Sequence, residues 1–386
     1  MLNRTGVLII GLAGMTASTT ASGLVAISHG LIPPAFGVTS NPDFENRPLS
    51  NLEGWVIGGW DHDVRPLSDV VCEYGLLPPQ FVTAVSDNLN NVSAWPAIVG
   101  PLDAPPRSGV QPCDAVESLN EGADRVRSDI ERFRKDHDCD QIIVVYLGSP
   151  PKYAQVNLGG DLTTYQNEFA GIHCYLWGAI QARAHFIDFT PSDALEHKIF
   201  LEMGAQHGIQ LAGRDGSTGQ TMLKLHIGEL LRRRQMRLLA WYSTNILGNN
   251  DGKVLSMPEH RVVKIHDKTA GLAQILGYDD FDHVVDISFV PFRGDSKESW
   301  DVVECEGWLG SKLSLRMNWH GCDSLLAAPM VLDLCRLIDQ GARCGRSGLQ
   351  SGLGFFFKNP IGNFDVRPSV QYKQLLEWVD ANLAKS

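Results

Sequence analysis

The chain has 386 residues, of which 44% are hydrophobic and 20% are charged, and its formal net charge is −11. This length predicts two domains, or one large domain with an insertion, since a domain usually has roughly 100–200 residues. The composition excludes disordered, collagenous and coiled-coil proteins, and no apolar run reaches the ~18 residues of a membrane span. The acidic balance argues against a nucleic-acid surface, so any anion must be bound by a local cluster of cations.

Two features bear on localisation. The N-terminal apolar run, Val7 to Ala13, has the pattern of a signal peptide, but it also predicts a buried strand at 6–10, a turn at 11–14 and a helix at 15–29. The second interpretation is favoured because apolar residues continue as far as Leu31.

The eight cysteines form no CxxC pair and match no zinc spacing. We therefore expect reduced thiols and a cytoplasmic protein.

The periodicity changes along the chain. Apolar runs alternate with amphipathic stretches in the first half, as in βαβ units, which predicts strands at 6–10, 141–147 and 185–189 and helices at 117–136, 161–183 and 193–207. Extended strands are predicted next, at 236–244, 281–289 and 300–318, followed by helices at 323–341 and 368–383. The pattern predicts an α/β fold in which a mainly antiparallel sheet is inserted after a parallel one.

The turn after the first predicted strand, Gly11 to Thr19, opens a helix. Such a turn directs backbone N–H groups at an anion, and the helix dipole assists. The pattern is not a full GxGxxG, since Ala13 and Ala17 stand at two glycine positions. It is therefore typical both of a dinucleotide pyrophosphate site and of an ordinary strand-to-helix turn.

A second polar, glycine-rich loop, Asp215 to Thr221, also opens a predicted helix and forms a second candidate anion site. The segment from Asn245 to Gly252 is a turn dense in amides and carboxylates. Both segments lie in the part of the chain where the lysines of interest occur.

Four lysines in the part of the chain from 211 to 360 are distinguished by their sequence context. Lys264 and Lys268 are four residues apart, so a helix would place both ammonium groups on one face, where they repel unless an anion lies between them. Lys297 follows a tight Gly-Asp-Ser turn, and Lys358 follows three phenylalanines. Each lysine taken alone is typical of a solvated surface charge.

In chain order these segments resemble the myo-inositol-1-phosphate synthase family, especially its shorter archaeal-type members. The matching stretches are 215–221, 242–256, 264–268, 294–297, 323–329 and 355–360. The N-terminal half matches more loosely, through 11–19, 58–61 and the strand that ends at Leu147.

The resemblance implies an NAD-binding Rossmann domain at 1–238 and 324–386, with an inserted catalytic and tetramerisation domain at 239–323. It implies a homotetramer that binds NAD+ and converts a hexose phosphate, most simply D-glucose 6-phosphate, to 1D-myo-inositol 3-phosphate. The route is oxidation at C5, enolisation, C1–C6 bond formation and re-reduction. Some members use a divalent and others a monovalent cation, and no ligand cluster decides this here, since Asp61-His62-Asp63 is better explained as a polar loop.

The resemblance also assigns residue roles. The implied catalytic residues are Lys264, Lys268, Lys297, Lys358, Asp323 and Asp251. The implied NAD-binding residues are Gly11, Ala13, Gly14, Met15, Thr16, Asp61, Gly148, Ser149, Thr190, Asp215, Asn250, Asp251, Gly294, Asp295 and Ser324. The implied substrate-binding residues are Thr218, Gly219, Gln220, Thr221, Asn249 and Lys268.

The chain departs from the family pattern at several positions. Ser217 stands where the Asp-x-Lys motif has a lysine, and Phe189-Thr190 replaces a Gly-Ser pair. Other functions therefore remain open. One is a relative that cyclises another sugar phosphate, such as fructose 6-phosphate, to a carbocyclic precursor. Another is a net sugar-phosphate dehydrogenase that releases NADH, and a third is a non-catalytic binding protein.

Overall fold

The computed structural model of the protein describes residues 4–34, 36–47, 49–103, 113–151, 168–248, 271–294, 296–362 and 364–383. The chain forms two compact units. Unit 1 contains Met1–Gly216, Ala328–Asn363 and Leu375–Ser386, and unit 2 contains Ser217–Ala327 and Phe364–Gln374. The first boundary expected at 238 therefore falls at Gly216, because α7 (Gly219–Arg233) packs through Leu231 against Leu238 and Trp241 of unit 2.

Unit 1 is built on a parallel sheet. Its strands are β1 (Thr5–Ile10), β2 (Val56–Asp61), β3 (Trp95–Val99), β4 (Cys113–Ala115), β5 (Gln141–Tyr146), β6 (His185–Asp188), β7 (Gln210–Gly213) and β12 (Gly348–Leu349). Their spatial order is β12-β7-β6-β5-β1-β2-β3-β4, and each pairing is parallel. The sequences of such strands are almost continuously apolar because both faces of a parallel sheet are covered.

Helices connect these strands. They are α1 (Met15–Ser28), α2 (Leu67–Tyr74), α3 (Pro79–Leu89), α4 (Leu119–Asp136), α5 (Gly171–Gln181) and α6 (Lys198–Gln206). The N-terminus of α4 is fixed by Ser118, whose Oγ accepts the Glu121 N–H at 3.2 Å. The buried side of α4, including Val126 and Ile130, packs in the same core as Val144 of β5. The arrangement is an α/β sheet whose carboxyl edge can carry a ligand site.

Unit 2 is built on a mixed sheet. Its strands are β8 (Arg237–Leu247), β9 (Asp282–Phe289), β10 (Ser296–Glu306) and β11 (Lys312–Cys322), in the order β11-β10-β8-β9. The β10–β11 and β10–β8 pairings are antiparallel and the β8–β9 pairing is parallel, so the inserted sheet is mainly antiparallel, as predicted.

The prediction of one strand over 300–318 is wrong. Residues 307–311 form a turn in which the Gly307 N–H donates to the Ser311 carbonyl at 2.8 Å. Leu309 and Gly310 both have positive φ, 53° and 76°, so the chain reverses there and cannot continue as a strand. The result is a hairpin of two long strands, β10 and β11.

The other expected elements agree well with the structure. The buried β1 and the following α1 confirm the strand interpretation of the N-terminal run. The helix expected at 161–183 is α5, which begins at Gly171, and residues 161–167 lie outside the described residues. The helix expected at 193–207 is α6, preceded by a 3-10 turn. The last two helices are α8 (Asp323–Arg343) and α9 (Pro368–Leu383). None of the helices within the described ranges has the length and apolarity to cross a membrane.

Candidate active site

The β1–α1 turn of unit 1 has the features of an anion site. Gly11 has φ +83°, and a Cβ there would lie 3.1 Å from the backbone of Gly148, so this glycine allows the turn to approach the end of β5. Gly14 is the N-cap of α1, and no described side chain caps this helix. The N–H groups of the first helical turn are therefore available to an anion.

Asp61 lies at the carboxyl end of β2, beside this turn. Its Oδ2 accepts the Ala13 N–H at 2.9 Å and its Oδ1 accepts the Asp63 N–H at 2.9 Å. Burial raises the pKa of Asp61, although these hydrogen bonds oppose the shift. An acid here is placed for a dinucleotide ribose. Because Asp63 also pairs with Arg65, the geometry favours the polar-loop interpretation of 61–63 over a metal site.

Asp188, at the end of β6, positions the predicted NAD residue Thr190. The Asp188 Oδ1 accepts the Thr190 N–H at 2.9 Å and the Thr190 hydroxyl at 2.8 Å, while Ser192 donates to Oδ2. Burial raises the pKa of Asp188 to about 6. Sequence reasoning did not identify Asp188, because an acid that ends a predicted strand carries no signal of its hydrogen bonds.

A short antiparallel pairing, here called the strap, joins 213–216 to 357–361. The Lys358 N–H donates to the Asp215 carbonyl at 2.6 Å, and the Ile361 N–H donates to the Gly213 carbonyl at 3.0 Å. The Lys358 Nζ lies 3.1 Å from the Asp215 Oδ1. The strap therefore brings one implied catalytic lysine onto an implied NAD-binding acid.

The residues present in unit 1 fit a dinucleotide. An uncapped helix N-terminus, a glycine required by close approach and an acid at the end of β2 occur together at the carboxyl edge of a parallel sheet. The described NAD candidates of unit 1 lie at or just beyond the carboxyl ends of its strands: Gly11, Ala13, Gly14, Met15, Thr16, Asp61, Gly148, Ser149, Thr190 and Asp215.

Unit 2 brings a second lysine–aspartate pair together. Lys297, on β10, places its Nζ 3.1 Å from the Oδ2 of Asp323, the first residue of α8. The same Nζ lies 5.9 Å from the ring centroid of Trp319, a distance compatible with a cation–π contact. The Asp323 Oδ1 is buried and accepts no hydrogen bond within the described part of the chain.

The N-terminus of α7 lies against this pair. Gly219 has φ +62°, and a Cβ there would be 2.8 Å from the Asp323 Oδ1 and 3.7 Å from the Lys297 Nζ. Thr218 is the N-cap, and its side chain makes no capping hydrogen bond. The N-terminus of a helix without a side-chain cap and an ammonium group therefore occur side by side, which is an arrangement that favours a phosphate or a developing oxyanion.

Gly248 and Gly294 also meet in unit 2. A Cβ on Gly248 would overlap the Gly294 N atom and the Val290 carbonyl, so only glycine allows the end of β8 to contact the turn before β10. Ser324 is buried beside Asp323. The remaining candidates lie outside the described residues: Lys264, Lys268, Asn249, Asn250, Asp251 and Asp295.

Sequence reasoning missed a buried polar network on the inner face of the unit 2 sheet. Asp301 accepts hydrogen bonds from Trp241, Ser243, Ser299 and Gln220. Ser299 and Asp301 occupy positions with the same parity as buried Val303 and Cys305, so polar residues at inward positions were a detectable signal. The signal was not recognised because 300–318 was predicted as one strand, without the turn at 307–311 that separates β10 from β11.

Asn245 is a second residue that sequence reasoning passed over. It lies on β8 opposite Ser299, is 2% exposed, and neither its side-chain oxygen nor its nitrogen has a hydrogen-bond partner in the described structure. A buried amide of this kind requires a partner from a ligand or water.

One cluster in unit 1 has the composition of a metal site, His173, Asp193 and His197, whose ligand atoms lie within 4.8 Å of one another. The His173 Nδ1 accepts the Ala170 N–H at 3.0 Å, which places the ring proton on Nε2. Burial lowers the pKa of His173 to about 4, so the ring is neutral near pH 7. Because the Nδ1 lone pair accepts a backbone N–H and Nε2 then carries the ring proton, neither nitrogen of His173 offers a lone pair to a metal in this arrangement.

The chain is similar to known proteins in both sequence and fold. The family model described as myo-inositol-1-phosphate synthase matches residues 219–324, which include α7, Lys297 and Asp323. The inositol-3-phosphate synthase 1 of Bacteroides thetaiotaomicron is 29% identical over 392 aligned positions, covering 95% of this chain and 91% of the relative. The chain is therefore similar in sequence to inositol phosphate synthases over most of its length.

Further proteins show the same similarity at lower identity. The inositol-3-phosphate synthase of Dictyostelium discoideum is 24% identical, with 88% of this chain and 75% of the relative covered. The crystal structure of the Caenorhabditis elegans enzyme has the same fold, with a TM-score of 0.84 at 22% identity, covering 99% of this chain and 86% of that one. A related Thermotoga maritima protein gives a TM-score of 0.75 at 20% identity, with 97% and 98% covered.

Proposed function

We propose that the protein is an NAD-dependent, redox-neutral cyclase that converts D-glucose 6-phosphate to 1D-myo-inositol 3-phosphate. The observation that carries this proposal is the contact between the uncapped N-terminus of α7 and the Lys297–Asp323 pair, within the segment that matches the family model. This contact places a candidate phosphate site beside a charged acid–base pair within unit 2.

The phosphate of the substrate binds the N–H groups of Gly219, Gln220 and Thr221 in this proposal, because these groups have no acceptor within their own helix. The Lys297 ammonium lies beside them and stabilises negative charge that develops on a substrate oxygen. Asp323 holds Lys297 in position and accepts or returns its proton.

When bound, NAD+ would supply reversible hydride transfer at C5, so the overall reaction would have no net oxidation. The features of unit 1 around Gly11, Gly14 and Asp61 hold this cofactor. By the resemblance, Lys264, Lys268 and Lys358 are also assigned to the stabilisation of the enolate and of the aldol alkoxide. Asp251 and Asn249 remain assigned by resemblance to the nicotinamide and phosphate regions.

The test is incubation of the purified protein with NAD+ and glucose 6-phosphate, followed by NMR of the product. We expect inositol phosphate with no lasting rise of absorbance at 340 nm. A rise of absorbance that matches substrate consumption would instead identify a net dehydrogenase. Ser217, which replaces the family lysine, motivates a parallel reaction with fructose 6-phosphate. Conversion of fructose 6-phosphate alone would identify the alternative cyclase.

We also propose that the protein assembles as a homotetramer. The outer face of the unit 2 sheet exposes large apolar side chains, among them Tyr242 at 45%, Val284 at 52% and Trp300 at 50%. Exposed apolar patches of this kind are typical of association surfaces. Light scattering coupled to size-exclusion chromatography gives the mass, and a monomer at micromolar concentration contradicts this proposal.

A further inference from the structure

The carboxylate of Asp301 connects three elements of unit 2. It is 4% exposed and lies on the inner face of β10. From β8, the Trp241 Nε1 donates to Oδ1 at 2.7 Å and the Ser243 hydroxyl donates to Oδ1 at 2.6 Å. From its own strand, the Ser299 hydroxyl donates to Oδ2 at 2.8 Å. The remaining contacts come from α7.

The link to α7 is the side-chain amide of Gln220. Its Nε2 lies 3.0 Å from Oδ1 and 3.1 Å from Oδ2 of Asp301, and 2.7 Å from the Ser299 hydroxyl. Gln220 is 2% exposed, so its side-chain amide is directed into the unit and contacts the network rather than solvent. The residue before it, Gly219, lies against Lys297 and Asp323.

The charge of Asp301 is compensated within the network. Burial raises the pKa of the Asp301 carboxyl, but the hydrogen bonds from Ser243, Trp241, Gln220 and Ser299 outweigh burial and leave the pKa below its ordinary value. The group is therefore an ionised acceptor with five donor contacts, and charged hydrogen bonds of this kind are short and directional. Such a group fixes geometry more strongly than a neutral acceptor would.

We propose that Asp301 is a positioning residue which, through Gln220, holds the first turn of α7 in the place where its N–H groups bind the phosphate of the substrate. The proposal deepens the proposed function and rests on it. Asp301 does not touch the substrate. Its effect is on the distance between the α7 N-terminus and the Lys297–Asp323 pair.

Asp301→Asn separates this role from fold stabilisation. With its oxygen towards Trp241 and Ser243, the asparagine keeps both contacts to the sheet, while its NH2 group faces the Gln220 amide and the Ser299 hydroxyl. The Oδ1 contact of Gln220 at 3.0 Å remains, but its Oδ2 contact is replaced by two donors that face each other, so the link to α7 is the one that is weakened most. Ser243→Ala is the matched control, because it removes a donor to the same carboxylate from the sheet side and leaves the Gln220 contact in place.

The experiment measures KM and kcat for glucose 6-phosphate in the presence of saturating NAD+. We expect D301N to raise KM at least tenfold with kcat within threefold of wild type, and S243A to leave both within twofold. Ser299→Ala, a milder change in the same link, should raise KM about threefold, and it serves if D301N does not fold. A KM for D301N within twofold of wild type overturns the proposal, as does an equal change in D301N and S243A.

Amide hydrogen exchange keeps this test separate from the proposed function. In D301N the amides of residues 219–223 should exchange at least tenfold faster, and in S243A they should exchange at the wild-type rate. If wild-type protein neither binds nor cyclises a hexose phosphate, the proposed function fails and the exchange rates decide the positioning of α7 alone. Unchanged exchange in D301N overturns the positioning role whatever the substrate.

Discussion

Units 1 and 2 each contain a lysine–aspartate pair with the Nζ 3.1 Å from a carboxylate oxygen, but the two pairs are held in different ways. Lys297 lies on a strand that is hydrogen-bonded on both sides, and its side chain is 15% exposed. Lys358 lies in the strap, where its own backbone N–H bonds Asp215, and its side chain is 26% exposed. Unit 2 fixes its lysine through a sheet, whereas unit 1 fixes its lysine through a local backbone pairing.

The largest expected effect on catalysis comes from removing the ammonium group of Lys297. Lys297→Met keeps the apolar stem and removes the ammonium group, so kcat for cyclisation should fall by about 10²–10³-fold. The affinity for NAD+, measured by fluorescence titration, should not change, because Lys297 is not among the residues implied to bind NAD+. Lys312→Met, at an exposed position of β11, is the control and should keep wild-type kcat. A K297M enzyme with more than a tenth of wild-type turnover contradicts the assignment.

The unit 1 pair can be disturbed without changing either of its members. A Cβ on Gly216 would overlap the Phe189 ring, so Gly216→Ala should displace the strap at a cost of about 1–3 kcal/mol in the free energy of unfolding. Misplacement of Lys358 should lower kcat/KM by about tenfold or more.

The double variant Gly216→Ala/Phe189→Ala makes room for the new methyl group. Denaturant unfolding and steady-state kinetics should both show partial recovery in the double variant. If the double variant is no better than G216A, the overlap with the ring is not the cause.

Buried ionisable groups also distinguish the two units, because they make the free energy of unfolding depend on pH. The larger change is expected from unit 2. Burial lowers the pKa of Lys224 from 10.5 to about 8, although the nearby Asp301 charge opposes the shift. Between these values the unfolded chain holds a proton that the folded chain does not, so stability rises with pH across this window by up to about 3 kcal/mol. Urea unfolding at pH 8–10.5 should show this rise in wild type and in K312M, but not in Lys224→Met.

Unit 1 should show a slightly smaller effect with the opposite slope. Burial raises the pKa of Asp188 from 3.8 to about 6, so the folded chain holds the extra proton between these values. The contribution of Asp188 to stability should therefore fall as pH rises from about 4 to 6, by about 3 kcal/mol. Burial lowers the pKa of His173 and of His185 from 6.5 to about 4, which acts in the opposite direction, so the Asp188 effect is measured as the difference between wild type and the Asp188 variant. Asp188→Asn should reduce this slope. The pKa of Asp333 is also raised to about 6, so part of the slope should persist until Asp333→Asn is added.

The sequence was most informative where one periodicity or one turn determines the structure. The apolar runs at β1 and β5 and the amphipathic α4 predicted their elements to within a few residues, because burial on one face or both leaves a direct pattern. The β10–β11 turn was not recognised although Gly307 and Gly310 are turn residues, because the apolar Trp308 and Leu309 lie between them and Leu309 adopts positive φ without being glycine.

The site was predictable only in part for a similar reason. Lys297 and Asp323 were identified as members of one family pattern, and the structure places them in contact. Asp301, Asn245 and Asp188 were not identified, since their importance depends on partners from other strands and helices. For example, Asp301 meets Gln220 across 81 positions of sequence. No local pattern contains such a pairing, so it appears only when the sheet register is known.

The strap has a consequence for the order in which the protein forms. Asp215 and Lys358 are separated by 143 positions, and the chain leaves unit 1 at Gly216 and does not return until Ala328. On the ribosome, the first 216 residues emerge long before the segment that closes their sheet edge. The Asp215–Lys358 contact must therefore be among the last to form, because closing so long a loop carries an entropic cost that early contacts do not. A nascent chain stopped before residue 358 would have most of the parallel sheet but no completed lysine pair in unit 1.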